Sequence, residues 1–279
     1  MTTLTQHANL VAENRYYQKD IEGKIIEDGD SLFQRVAKAI ASVEVTHYGA
    51  LPIQADLLAI EFADVMANLE FIPNSPTLMN AGTNQGTLSA CFVLPLKDSM
   101  EGIMQAASDA AMVQKFGGGT GFSLSQIRPR GDKIKTTHGI ACGPVAVLKV
   151  LSSVSSMVTQ GGKRDGANMA VMDVTHPDIM EFIRCKSVEG DIHNFNISVL
   201  VSANWMETAK SGLDYDLINP NTKEVVGQLN AGEVLEEIIM GAWQNGEPGL
   251  IFGDAVNTDN RVIEPVSYTH LTLPTNREV

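Results

Sequence analysis

NQGTLSACFVLPL (Asn84–Leu96) alternates polar with apolar residues and then thickens into an apolar run, the pattern of a buried strand. It leads into LKDSMEG (Leu96–Gly102), where Asp98 and Glu101 have capping-box spacing, so a helix to about Phe116 is expected next. The strand-then-helix step repeats along the chain. GGGTGFSLSQI (Gly117–Ile127) carries a second strand, and Pro144 opens a helix through VAVLKVLSSVSSMV (Val145–Val158). ANMAVMDV (Ala167–Val174) is a third strand, followed by a helix capped within Thr175-His176-Pro177-Asp178. NFNISVLVS (Asn194–Ser202) and GLIFG (Gly249–Gly253) are the fourth and fifth, with a hairpin, LDYDLINPNTKEVVGQ (Leu213–Gln228), and the helix GEVLEEIIMGAWQN (Gly232–Asn245) between them. Five strands alternating with helices predict a parallel sheet, because parallel neighbours need long crossovers.

Upstream the period is helical. SLFQRVAKAIASVEV (Ser31–Val45) puts Phe33, Val36, Ala37, Ile40 and Val43 on one face, and DLLAIEFADVMANLE (Asp56–Glu70) does the same with Leu58, Phe62, Val65, Met66 and Leu69. The expected organisation is a helical region over 1–72, an α/β region over 73–265 in which strands are punctuated by helices, and a tail over 266–279. The tail, VSYTHLTLPTNREV, looks like adapter read-through and is set aside as non-native.

The 279 residues are 44% hydrophobic and 19% charged, a core-forming composition. Twenty Lys and Arg against 33 Asp and Glu give a net charge of −13, which argues against nucleic acid or an anionic membrane as partner but permits a local basic pocket for a phosphorylated metabolite. Cys91, Cys142 and Cys185 are far apart with no CxxC, and the six histidines have no metal-site spacing. With no signal-like or membrane-spanning run, a reducing cytoplasm is the expected location.

Chemistry-bearing residues fall in three places. Cys91 sits inside the first strand, where a free thiol is more often a small hydrophobe than a reagent. FGGGTGF (Phe116–Phe122) follows a helix and precedes a strand, the reverse of a dinucleotide fingerprint, so it predicts a tight turn or a close approach of backbone to a ligand or another segment. Two basic loops remain: QIRPRGDKIKTTHG (Gln126–Gly139), with Arg128, Arg130, Lys133 and Lys135, and TQGGKRDGANMAV (Thr159–Val171), with Lys163 and Arg164. The second is not a Walker A loop, since Arg164 stands where Ser or Thr would hold magnesium. Both are expected at strand ends, where ligands of parallel sheets gather beyond the carboxyl termini.

NSPTLMNAG (Asn74–Gly82), LSACFVLPLKDS (Leu88–Ser99), KFGGGTGFSLSQIRPRG (Lys115–Gly131), QGGKRDGANMAVMDVTHPDIMEFI (Gln160–Ile183) and NISVLVS (Asn196–Ser202), in this order, resemble the catalytic subunit of ribonucleotide reductases, most closely the adenosylcobalamin-dependent class. ENRYYQKD (Glu13–Asp20) resembles the opening of that class, and the likeness runs over residues 10–265. It implies an N-terminal helical region followed by the first half of a ten-stranded α/β barrel, truncated here. It makes Cys91 one cysteine of the redox pair that reduces the ribose, with Ser75, Thr77, Ala90, Cys91 and Gly119 at the substrate nucleotide. Asp98 would hold the deoxyribose of a dNTP or ATP effector, Arg128 its phosphates, and Lys163 and Arg164 would relay effector identity to substrate choice.

Implied partners are adenosylcobalamin, a thioredoxin-like reductant and, for the full-length protein, a second copy through helices near 99–116 and 144–160. Met104, Ala107, Ala111, Val147, Val150, Leu151 and Val154 on those helices are equally explained as core packing. The family's Asn-x-Cys-x-Glu radical motif is absent from the 279 residues, so no turnover by this chain alone is expected. A non-catalytic nucleotide-sensing module, or a diiron or glycyl radical source, stands as the alternative.

Overall fold

The structure, a computed structural model, describes residues 4–84, 86–134, 138–160, 164–165, 167–187 and 192–258. The expected tail over 266–279 lies outside these residues. The chain divides between Ala90 and Cys91 into two compact units, each with its own core.

The first unit is helical. α1 (Gln6–Arg15) is capped by Thr5, α2 (Gly29–Thr46) by a box between Asp28 and Ser31, and α3 (Pro52–Ala67) starts on a proline. Its core takes Leu32, Phe33, Val36, Ala37 and Ala41 from α2, and Ala59 and Met66 from α3. The predicted faces need correction at their large ends: Ile40 and Val43 are 37% and 38% exposed, Phe62 36% and Leu69 53%. Alanines at 37, 41 and 59 form the helix contact instead, and small residues at a crossing leave bulky neighbours at its rim. After Pro73 comes a further helix, α4 (Ser75–Asn80), capped by Asn74 with Pro76 in its first turn. Arg35 fastens α4 to α2, donating to Glu27 Oε1 (2.6 Å) and to the carbonyls of Leu78 (3.1 Å) and Ala81 (2.5 Å) at the α4 terminus.

The second unit is the predicted parallel sheet. Its strands are β1 (Cys91–Val93), β2 (Gly119–Ser123), β5 (Asn168–Asp173), β6 (Phe195–Val201) and β9 (Gly249–Phe252), in the spatial order β1-β2-β5-β6-β9 with every pairing parallel. Crossovers are made by α5 (Met100–Lys115), α6 (Pro144–Met157), α7 (Ile179–Arg184) and the run α8 (Ala203–Lys210) to α9 (Ala231–Asn245), and α10 (Gly253–Thr258) follows β9. Two antiparallel ladders stand apart from the sheet: β3 (Thr159–Gln160) with β4 (Arg164–Asp165), and the predicted hairpin β7 (Asp214–Ile218) with β8 (Val225–Asn230). The central strands β5 and β6 are buried almost throughout, whereas the edge strands β1 and β9 are half open. Phe122, Leu148, Leu151, Met172, Phe182, Phe195 and Ile197 fill the core between strands and helices.

Candidate functional site

Because all five strands run the same way, the sheet has one amino edge and one carboxyl edge, and candidate residues of the second unit sort between them. At the amino edge Cys91 is the first residue of β1 and is exposed. Its register partner on β2 is Gly119. Side chains in register point to the same face, so the absence of one at 119 leaves the sulfur uncovered on that side. The thiol is therefore not a core hydrophobe.

The glycine run beside it serves the close approach of another segment. A Cβ on Gly118 would lie 2.7 Å from Val113 Cγ1 and 2.8 Å from Phe92 Cε2, so the Phe92 ring, next to Cys91, can seat only against bare backbone. Gly117 makes the turn out of α5 at φ +90°. Beneath lies a buried polar cluster. Gln114 Nε2, on α5, reaches Asn168 Oδ1 (2.7 Å), Ser155 Oγ (2.9 Å) and Thr120 Oγ1 (3.1 Å), so one amide ties two helices to β2 and β5. Gln114 Oε1 is buried without a partner.

The carboxyl edge is built from charge. Asp98, in the loop after β1, accepts from Arg128 twice, from the backbone N–H at Oδ1 (3.2 Å) and from Nε at Oδ2 (2.7 Å). Asn221, at the tip of the β7–β8 hairpin, donates to that same Oδ2 at 2.9 Å. The pair is well covered, with Arg128 27% and Asp98 16% exposed at the side chain. The expected capping role of Asp98 is corrected: Ser99 caps α5 by accepting from Gly102 N (3.0 Å), which frees the Asp98 carboxylate for Arg128.

The Arg128 loop is pinned from the β5–α7 turn as well. His176, 2% exposed, has Nδ1 accepting from Asp178 N–H (3.0 Å) and Nε2 donating to Ile127 O (2.8 Å), which sets the neutral tautomer. Burial pulls its pKa below the usual 6.5, against the hydrogen bond to Ile127 and nearby aspartates. Asp178 does not cap α7 with its side chain, as its Oδ2 accepts instead from Arg130 N (2.7 Å), while Arg130 Nη2 meets Glu181 Oε1 at 2.7 Å.

The two basic loops do not share an edge. Arg128 follows β2 at the carboxyl side, but Arg164, in the strand that precedes β5, lies toward the amino side, the side of Cys91. This overturns the expectation that both gather beyond strand carboxyl ends, since position relative to the next strand, not the preceding helix, decides the edge. Lys163 lies outside the described residues. Arg164 belongs to β4, whose pairing of Gln160 with Arg164 and of Thr159 with Asp165 holds the loop's two arms together.

Of the residues expected at the substrate, Ser75, Thr77 and Ala90 belong to the first unit. Ser75 is exposed at the start of α4, its hydroxyl 3.0 Å from that of Tyr16. Thr77 Oγ1 lies 2.7 Å from Asn74 Oδ1 and 2.9 Å from Leu88 O, so its proton is engaged while its lone pairs can accept. The helix faces singled out for dimerisation divide: Ala107, Val147 and Leu151 are buried in this chain's core, and Met104 (54%) and Val150 (42%) are exposed.

Cys185 sits at the end of α7, half-buried, and burial pushes its thiol up to about 12. It lines a cavity of about 510 Å³ with Lys149, Met180 and Arg184, and a second, of about 380 Å³, lies between α7 and α9. Neither is lined by a residue of the five-stranded sheet. Among the described residues there is no cluster of His, Cys, Asp and Glu that could hold a metal ion, and no helix long and apolar enough to cross a membrane.

Sequence reasoning did not single out Gln114, His176, Asn219 or Asn221. Asn219 and Asn221 read only as turn residues in INPNT, and nothing local connects them to an aspartate far upstream.

Comparison with known proteins agrees with this arrangement. The family model described as "Ribonucleotide reductase, all-alpha domain" matches residues 2–86, and "Ribonucleotide reductase, barrel domain" matches residues 89–271. A vitamin B12-dependent ribonucleoside-diphosphate reductase of Thermoplasma acidophilum is 39% identical over 312 residues, covering 93% of this chain and 41% of that protein. Its namesake in Mycobacterium tuberculosis is also 39% identical, over 260 residues, with 93% and 37% covered. A vitamin B12-dependent ribonucleotide reductase of Streptomyces coelicolor is 31% identical over 81% of this chain and 26% of its own length. The chain thus spans about two fifths of the length of these first two relatives. With an all-α unit followed by a parallel α/β unit, each meeting its own family model, the chain belongs to the ribonucleotide reductase family.

Proposed function

We propose that these residues are the amino-terminal part of a B12-dependent reductase that converts ribonucleoside diphosphates to deoxyribonucleotides, with the amino edge of the sheet at the substrate and the carboxyl edge at an allosteric nucleotide. The observation that carries the reading is the exposed thiol of Cys91 in register with Gly119. Glycine there gives a sugar room to approach the sulfur.

In this reading Cys91 and a second cysteine each give up one hydrogen, two electrons and two protons in all. The ribose 2′ C–O bond breaks, the oxygen leaves as water, a C–H bond forms and the two sulfurs join as a disulfide. A thioredoxin-like dithiol then returns the pair to thiols. The second cysteine, and the Asn-x-Cys-x-Glu cysteine that would carry the thiyl radical, are to be found in the longer protein. Ser75 and Thr77, at the start of a capped helix, would donate hydrogen bonds to the diphosphate, with Thr77 Oγ1 turning from Leu88 O to do so.

B12 dependence is carried by the relatives' names. Neither cavity described above is lined by a residue of β1. No step of the reduction is therefore assigned to it here.

At the carboxyl edge the Arg128 guanidinium keeps N–H groups beyond those given to Asp98, which suits a phosphate. Asp98, as an acceptor, suits a deoxyribose hydroxyl. Lys163 and Arg164 would relay the effector's identity to substrate choice, and the exposed Met104 and Val150 would meet a second copy.

The test is Cys91→Ser in the full-length reductase. Turnover with adenosylcobalamin and a dithiol is expected to fall at least about 10³-fold, the scale of losing a group that enters the chemistry directly. Turnover near wild type would reject the role. The 279-residue chain alone is expected to form no deoxynucleotide under the same conditions.

A further inference from the structure

We infer that the tip of the β7–β8 hairpin is a positioning clamp for the nucleotide-binding carboxylate, with Asn221 setting how Asp98 meets a bound nucleotide. The inference rests on the reading of Asp98 and Arg128 as an effector site.

The hairpin lies outside the five-stranded sheet, yet it is anchored at its base and its tip. Tyr215 Oη donates to Val174 O (3.0 Å) and Ile218 N to Thr175 O (2.8 Å), which fixes the base on the β5–α7 turn. At the tip Asn219, 4% exposed, organises the turn by accepting from the N–H groups of Asn221 (2.9 Å) and Thr222 (3.3 Å) with one side-chain oxygen. Its Nδ2 donates to Asp132 Oδ2 at 2.9 Å, gripping the far end of the Arg128 loop. Asn221 then reaches Asp98 Oδ2.

Lone pairs make this consequential. An ionised carboxylate offers about four acceptor positions. Arg128 takes one on each oxygen and Asn221 the second on Oδ2, which leaves one position, on Oδ1, for a ligand hydroxyl. The clamp thereby dictates which oxygen reads the sugar and holds the carboxylate plane while Arg128 turns its remaining N–H groups to phosphate. Without Asn221 the carboxylate is held by Arg128 alone, and part of the ordering must be done at binding.

Asn221→Ala and Asn221→Asp in the 279-residue chain, titrated calorimetrically with dTTP and dATP, test this. The base anchors do not involve residue 221, so both variants should fold, which a far-ultraviolet spectrum and melting curve check. Asn221→Ala is expected to weaken dNTP binding about tenfold. Asn221→Asp sets a second carboxylate against Asp98, with Arg128 and, through Asn219, Asp132 as the other charged groups near it. It should bind more weakly still at pH 8 and recover part of the loss near pH 5.5, where the pair shares a proton, a pH profile that mere loss of packing does not produce.

Wild-type affinity with unchanged pH dependence in either variant overturns the clamp, provided Arg128→Ala abolishes binding. Should one variant fail to fold, the other decides by the same criterion. Absence of dNTP binding by the wild-type chain, or binding indifferent to Arg128→Ala, would instead overturn the underlying effector-site reading.

Discussion

The two edges of one parallel sheet solve opposite problems. At the amino edge the candidate group is a single uncharged sulfur left open beside a glycine, and the support beneath it is neutral, an amide and hydroxyls gathered by Gln114. At the carboxyl edge the candidate groups are ions already paired with each other and cross-braced from two other segments, the turn of His176 and Asp178 and the hairpin tip. In the proposed function the edge for chemistry is kept accessible, and the edge that reads a ligand is braced. In parallel α/β proteins ligands are expected at the carboxyl ends of strands. Here that expectation locates the proposed regulatory ligand and misplaces the proposed chemistry.

The largest effect that sharpens the contrast is in thiol reactivity. With its pKa near 12, about one Cys185 thiol in 10⁴ is ionised at pH 8, and the thiolate is the nucleophile. Iodoacetamide at pH 8, followed by peptide mass spectrometry, should label Cys91 at least about 10²-fold faster than Cys185. Equal rates would show that Cys91 is covered.

Next comes stability. Gln114→Ala removes a donor shared by three buried acceptors and opens a cavity, at a cost of about 3 kcal/mol in chemical denaturation. Arg128→Ala leaves a covered carboxylate with reduced partners and costs about 2 kcal/mol. Arg130→Ala, whose ion pair with Glu181 is 59% and 35% exposed, should cost less than about 1 kcal/mol. If Arg130→Ala proved as costly as Arg128→Ala, the bracing of the carboxyl edge would lie elsewhere.

How much of this was legible in the sequence follows from the range of each signal. The five strands, the Pro144 helix and the hairpin announce themselves within a few residues by period, caps and turn chemistry. The helix Ser75–Asn80 carries an equally local signal, an Asn cap followed by proline in the first turn, but at 6 residues it is too short to show a helical apolar period. Asp98 and Ser99 both qualify as caps by residue type, and only the pull of Arg128, 30 positions on, decides between them. The contact of Asn221 with Asp98 joins positions 123 apart, and no pattern in one chain spells it. The exposure of Cys91 was likewise undecidable until the register set Gly119 beside it.

The smallest expected effect is in pH. The folded pKa of His176 lies below its unfolded value of 6.5, so its stabilising contribution is complete above 6.5 and is lost as pH falls below that value. Melting curves of His176→Gln and wild type should therefore differ less at pH 5.5 than at pH 7.5. A gap that widens on acidification would mean that the ring is charged in the fold and that the Arg128 loop is held by an ion pair instead.

The central claim, that the sulfur of residue 91 takes part in reducing a ribose at the amino edge, is tested most directly by one turnover of the full-length reductase without external dithiol. Mass spectrometry of the quenched protein should find Cys91 in an intramolecular disulfide, about one for each deoxynucleotide formed. Deoxynucleotide formed while Cys91 remains a free thiol would contradict the account.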